Sequence, residues 1–457
     1  MEATRKVAEF VVKATFKDIP REAVAFAKQA FLDCVGVTLA GSISLPAKII
    51  IGLVKENGGH PKAAVVGGGF KTSSPEAALV NGTSAHVLDY DDTNSSVAGH
   101  PSAFLVPPVL ALGEELGISG KEALVAYIIG LEVAAKVGRC INKGHYEKGW
   151  HATATLGTLG AAAAGAKILK LDTHQVRMAL GIAASEAAGL RQNFGTMTKP
   201  LHAGNASRNG IIAAMLAKRG FTADESILEA EFGFCNLFSR DNRYDLEKIT
   251  ADMGQPFDAV TPGINLKPYP ACRGAHSALD AMLALVRGDN ISGMDVENIE
   301  VRTHPLNANT LIRSNPRSGV EGKFSMQFCM AIALLNKEVG LNEFTDEKLL
   351  DARTQDLIKR VKMIADPTLE DAAKSAKTEY LPSIVRVRMK NGREFMKRVD
   401  FPRGHPYVPL SQEELLKKYR DCAGLVMPKE DVEQSLDMIS NMEAIKDVRT
   451  LADLLVR

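Results

Sequence analysis

Aromatic side chains are scarce in this chain: they make up 6% of its 457 residues, with a single tryptophan. That scarcity, beside 38 glycines and many alanines, fits helices packed closely against one another. An excess of either charge is also missing. Lys and Arg total 55, Asp and Glu total 54, and the formal net charge is +1. A nucleic-acid or other polyanion binder would show a clear basic excess. An anionic ligand must therefore be held by a few placed cations. There is no disulfide framework, because the six cysteines are scattered and form no CxxC pair. Buried thiols in a reducing, cytoplasmic compartment are expected. The first residues, MEATRKVAEFVVKATFKD, are charged and amphipathic, unlike a secretory signal. Thr153 to Ala166 reads as the most apolar stretch and is too short to span a bilayer, so no membrane partner is expected. HExxH, EF-hand and GxxxxGK[ST] patterns are missing, and no GxGxxG follows a strand. Neither a metal nor a dinucleotide is expected.

What is present is an ordinary globular composition, 46% hydrophobic and 24% charged, long enough for two or three domains. The first half reads as successive helices. Asp18-Ile19-Pro20 is a start signal, and Val24, Ala27, Phe31, Cys34, Val35 and Leu39 follow at helical spacing. Further helices are expected over 76–87, 103–116, 121–137, 153–169, 172–188 and 206–219, with no strand pair before about Phe257. After Gly263 the texture changes. VENIEVRT (296–303) alternates like a half-buried strand. IVRVRM and the run 394–399 flank Asn391-Gly392, which predicts a hairpin with a type I′ turn. Helical runs are expected near 323–336 and 346–361, and helix returns from Ser411. The expected fold is therefore mainly α. Residues 1–263 and 403–457 would form an all-helical domain, and 264–402 a smaller α+β lid domain.

Four segments carry candidate chemistry. HVLDYDDTNSSVAGHPS (86–102) sets three carboxylates, Asp89, Asp91 and Asp92, beside two histidines. A carboxylate next to an imidazole makes an acid/base pair with tunable proton affinity. Three carboxylates could also hold a divalent cation, and the same string reads as DxDD, the acid motif of terpene cyclases. The plainer reading is a helix end running into a solvated loop. GWHATATLGTLG places His151 just before a helix, where the dipole favours neutral imidazole and backbone NH groups suit a carboxylate. A packing or capping histidine would look the same. GTMTKPLHAGNASRNG carries Lys199, His202 and Arg208. Lys199 precedes a proline, which predicts an extended or turn segment there. It could clamp a carboxylate or donate a proton, or simply be solvated. KPYPACRGAHSALDAM (267–282) brings Cys272, Arg273 and His276 to the expected domain boundary, where a cleft could form. Cys272 reads more readily as a buried thiol than as a nucleophile.

These segments, with FLDCVGVTLAGS and GVEGKFSMQF, occur in the order of the MmgE/PrpD superfamily. The chain resembles that family over nearly its whole length. The family includes 2-methylcitrate dehydratase, cis-aconitate decarboxylase and iminodisuccinate epimerase. The resemblance implies a large all-α domain with a smaller α+β lid, a homodimer and no obligatory cofactor. Matched motif by motif, it implies Asp89, His100, His151, Lys199 and His276 as catalytic residues, with Thr93, His202 and Arg273 on the substrate. A cofactor-independent lyase acting on a small di- or tricarboxylate is thus expected, most like 2-methylcitrate dehydratase. Cis-aconitate decarboxylase and an iminodisuccinate-type epimerase are the alternatives within the family. Lys199 and neighbouring imidazoles could neutralise a carbanion- or enolate-like state. The sequence departs from relatives at Phe328, where tyrosine is expected in some, and over NSSVAG (94–99). Two rivals of other classes are a metal-dependent helical enzyme using Asp89, Asp91 and Asp92, and a non-catalytic carboxylate-binding dimer.

Overall fold

The computed structural model describes residues 2–142, 144–289, 291–373 and 381–456. The chain divides into two compact units. The first comprises 1–87, 91–264 and 411–457, and the second 88–90 and 265–410. The first is helical and the second α+β, so the protein is mainly α.

The longer helices of the first unit are α1 (Ala3–Lys13), α2 (Arg21–Ser42), α3 (Leu45–Asn57), α4 (Ser74–Val87) and α5 (Pro101–Leu116). They continue with α6 (Gly120–Ile141), α7 (Ala152–Ile168), α8 (Thr173–Ser185) and α9 (Thr198–Lys218). Small residues let these helices approach closely. A Cβ on Gly204 of α9 would lie 2.3 Å from Leu79 O, and one on Gly82 of α4 would lie 2.9 Å from Gly204 Cα. Gly130 of α6 and Gly160 of α7 face each other in the same way. Such contacts give interior packing density without large side chains, as the composition suggests.

Helix α2 is long and apolar enough to cross a membrane, which the sequence reading of Thr153 to Ala166 overlooked. Its residues 30–42 are buried in the first unit throughout. Asp18 does not cap α2; it closes the short turn Phe16–Asp18 by accepting from Thr15 N at 2.8 Å.

The expectation of no strand pair before Phe257 fails. β1 (Ala63–Val65) and β2 (Phe70–Thr72) pair antiparallel. Three residues are too few to show a period. Side chains hold this hairpin: Asn81 of α4 accepts from Val66 N at 2.9 Å, and Glu114 of α5 from Ala64 N at 2.6 Å.

The second unit has a four-stranded sheet ordered β4-β3-β5-β6: β3 (Val296–Thr303), β4 (Val361–Ala365), β5 (Ser383–Met389) and β6 (Glu394–Val399). Strand β3 is parallel to β4, with Val301 opposite Met363, and antiparallel to β5, with Val301 opposite Val385. Ile299, Val301, Val385 and Val387 are buried, on the period-2 pattern read from the sequence. Helices α10 (His276–Asp289) and α11 (Met326–Asn336) belong to this unit. The 389–394 hairpin forms, but its turn is not type I′. Only Gly392 is left-handed, at φ +84°, and Gly392 N donates to Met389 O at 2.9 Å. This is the longer loop ending in a left-handed glycine, which Asn391 need not follow. The expected helix 346–361 is instead two, Asp346–Leu350 and Ala352–Arg360, the second capped by Asp351, and Val361 begins β4. Helix α12 (Gln412–Ala423) returns the chain to the first unit.

Candidate active site

Three helices of the first unit begin with candidate residues. His100 is the N-cap of α5, His151 is the N-cap of α7, and Lys199 lies in the first turn of α9. The starts of α5 and α7 abut. His100 N donates to Thr153 Oγ1 at 3.2 Å, and a Cβ on Gly99 would lie 2.9 Å from Thr153 N. Each helix start presents the positive end of its dipole, although Ser102 N of α5 donates to Asp92, and Thr198 N and Lys199 N of α9 donate to Thr196. The placement of Lys199 corrects the sequence expectation. Proline disfavours helix in the residue before it, but a first turn needs no NH from Pro200, so the helix begins at Thr198.

The histidines meet around these starts. His86, in the last turn of α4, places its ring 4.4 Å from His100 and stacks on His151 at 5.6 Å. His151 Nδ1 and His202 Nδ1 are 2.9 Å apart, so one ring donates and the other accepts; both rings cannot carry a proton there. Phe194 closes one side, 4.9 Å from His151 and 5.4 Å from Lys199 Nζ. Burial pushes His86 down to about 3 and His202 down to about 4. Burial, then His86 and Lys199, also hold His151 well below the usual imidazole range. These three rings are neutral at neutral pH.

The carboxylate that touches this cluster within the first unit is Asp91. Its Oδ2 meets His86 Nδ1 at 2.8 Å and His100 Nδ1 at 3.2 Å. Burial opposes its ionisation, but His100 and His86 outweigh that and hold its carboxyl well below the ordinary value. Asp92, one residue on, behaves in the opposite way. It accepts from Ser102 N at 3.1 Å and from the Ser102 hydroxyl, which also meets Tyr127 OH at 2.8 Å. Burial, helped by Asp33, pushes Asp92 up to about 8. Thr93 is buried beside it, just before the turn in which Asn94 N donates to Gly99 O at 3.0 Å. Asp91 and Asp92 therefore face different partners, which speaks against one cation or one shared proton on the acidic string.

In the second unit, Asp89 is left-handed at φ +52°, a conformation Asp tolerates better than most residues. Lys267 Nζ donates to its carbonyl at 2.8 Å and meets its Oδ2 at 3.2 Å. Lys323 Nζ donates to Leu88 O at 2.9 Å. His276 is the first residue of α10 and fully buried. Its Nε2 donates to Ala271 O at 3.1 Å, so Nδ1 is a bare acceptor. Burial, then Arg273 and Lys267, keep the ring well below its ordinary value. Arg273 donates to Asn265 Oδ1 at 3.1 Å. Cys272 is buried, and all six cysteines are free. Phe328 is fully buried with its ring 5.7 Å from that of Phe344, so it packs a core.

The sequence-based residues thus divide. His100, His151, Lys199, His202 and Thr93 belong to the first unit; Asp89, Arg273 and His276 belong to the second. Sequence reasoning left His86 and Lys267 outside the expected catalytic set and weighed Asp91 only as one carboxylate of the acidic string, in the metal-dependent rival. The signal was present for His86 and Asp91: a histidine five residues before an aspartate, on a helix end that turns back. Lys267 opens the quoted KPYP segment but has no spacing that marks it.

A family model described as the MmgE/PrpD N-terminal domain matches residues 5–247, and one described as the MmgE/PrpD C-terminal domain matches 269–444. Cis-aconitate decarboxylase of Mus musculus is 30% identical over 397 residues, covering 84% of this chain and 79% of that protein. Cis-aconitate decarboxylase of Aspergillus terreus is 26% identical, covering 99% and 95%. Mitochondrial 2-methylcitrate dehydratase of Yarrowia lipolytica is 23% identical, covering 95% and 86%.

Proposed function

Because the chain belongs to the MmgE/PrpD family, we propose that it breaks a bond next to a carboxylate of a small di- or tricarboxylate, without a cofactor. Its relatives are named as decarboxylases and dehydratases, and the chain is a lyase. The observation that supports the substrate class is the meeting of three helix starts, Lys199 and neutral imidazoles in the first unit.

Such a setting suits carbanion chemistry. In dehydration, a base takes the proton from the carbon beside a carboxylate, and the electron pair moves into that carboxylate. The neighbouring hydroxyl then leaves as water once an acid protonates it. In decarboxylation, the electron pair of the broken C–C bond moves the same way, carbon dioxide leaves, and an acid reprotonates carbon. Lys199 and the helix dipoles oppose the developing negative charge in both, in a buried setting where such interactions are strong. His151 is neutral and can accept or return the proton, and His100, at the start of α5, is a second imidazole placed beside the cluster. Asp89, Arg273 and His276 enter the proposal through the resemblance of their segments.

Within that class, the sequence motifs favour dehydration of a 2-methylcitrate-type substrate. The identities of 30% and 26%, against 23% for the dehydratase, favour decarboxylation of a cis-aconitate-type one. Proton NMR in heavy water with excess EDTA separates them, using 2-methylcitrate, citrate, cis-aconitate and iminodisuccinate. Loss of water, release of itaconate, or solvent deuterium entering a carbon position each supports carbanion chemistry and names the branch. Turnover that appears only when divalent metal is added would overturn the cofactor-independent reading.

A further inference from the structure

One buried oxygen of the first unit serves two imidazoles. Asp91 Oδ2 lies 2.8 Å from His86 Nδ1 and 3.2 Å from His100 Nδ1, and Asp91 and the His86 side chain are fully buried. An ionised carboxylate only accepts, so His86 must donate from Nδ1. Its other nitrogen, Nε2, is then bare, and it has no hydrogen-bond partner among the described residues. We propose that Asp91 is a positioning residue of this cluster: it fixes His86 with Nε2 as a proton acceptor and holds His100 at the start of α5. His86 thereby becomes a further imidazole able to take a proton, ring to ring with His100 and His151. The role of Asp91 in turnover rests on the reading of this cluster as the reacting site. Asp92 supplies the contrast, since Ser102 occupies its carboxylate.

The test uses the whole chain carrying 15N-labelled histidine, with the His86 signals assigned by their loss in His86→Gln. Long-range 1H–15N spectra distinguish Nδ1–H from Nε2–H rings with no substrate present. The wild type should show His86 as Nδ1–H, and Asp91→Asn, which has nearly the same shape, should lose that form. In Asp91→Asn, kcat on the polycarboxylate turned over should fall about a hundredfold or more, with KM changed about threefold at most. Asp92→Asn should keep the His86 signal and keep kcat within about threefold. A wild-type His86 in the Nε2–H form overturns the proposal. So does an Asp91→Asn protein that retains kcat, or an Asp92→Asn protein that loses as much while melting like wild type. If His86 behaves as described but none of the four polycarboxylates is turned over, the substrate reading fails and the assignment to Asp91 stands.

Discussion

Two buried polar regions of the helical unit share the same kinds of groups and resolve them differently. Around α6, Lys136 Nζ lies 2.9 Å from Asp252, 3.4 Å from Asp258 and 3.4 Å from Glu132. Arg139 adds contacts to Asp252 at 3.0 Å, Asp258 at 2.9 Å and Ser96 at 3.1 Å. Every cation there is matched by carboxylates, and the result ties residues 252–261 and the loop before His100 to one helix. Around the starts of α5, α7 and α9, imidazoles outnumber carboxylates, and His86, His151 and His202 stay neutral because burial keeps protons off them. The first arrangement satisfies itself and holds the fold. Under the proposed function, the second keeps proton acceptors and positive helix ends for an anionic substrate.

Removing Lys136 should produce the largest effect that separates the regions. Lys136→Ala leaves buried carboxylates facing one another and should cost about 3–5 kcal/mol of stability. Urea unfolding measures the loss, while the folded fraction should keep its activity within a few-fold. A large loss of activity at unchanged stability would erase the distinction.

Acidification should act on the buried imidazoles and on Glu132 with opposite sign. Between the ordinary imidazole value of 6.5 and about 4, His86 and His202 bind protons only in the unfolded chain. They therefore subtract stability as pH falls through that window, by up to about 1.4 kcal/mol per pH unit each. Glu132 is pushed up to about 7 by burial and then by Asp258, against its ordinary 4.5. Between those values the folded state holds the extra proton, so Glu132 adds stability as pH falls. Unfolding midpoints at pH 7 and pH 5 check both signs. His202→Gln should make the loss on acidification shallower, and Glu132→Gln should make it steeper.

Much of this was legible in the sequence, and the misses have physical reasons. Long helices and the strands at 296–303, 383–389 and 394–399 declare themselves through period and turn residues. The β1–β2 hairpin does not, because Asn81 and Glu114 hold it from helices that no local window links to it. The start of α9 was hidden by Pro200, which reads as a helix boundary unless it falls in a first turn. In the site, His100, His151 and Lys199 were recognisable by motif. Asp91 was not, because three aspartates in four positions look alike until the backbone turns each toward a different partner. The left-handed Asp89 begins that divergence, Asp91 meets imidazoles and Asp92 meets a serine.

The most direct test of the central claim is turnover by Lys199→Ala and His151→Ala, measured beside wild type on the polycarboxylate that wild type consumes, with melting followed on the same samples. Each variant should lose about a hundredfold or more in turnover, with melting close to wild type. Near-normal turnover in both variants would contradict that claim, and the imidazole cluster would then be a packed core rather than the place where protons move.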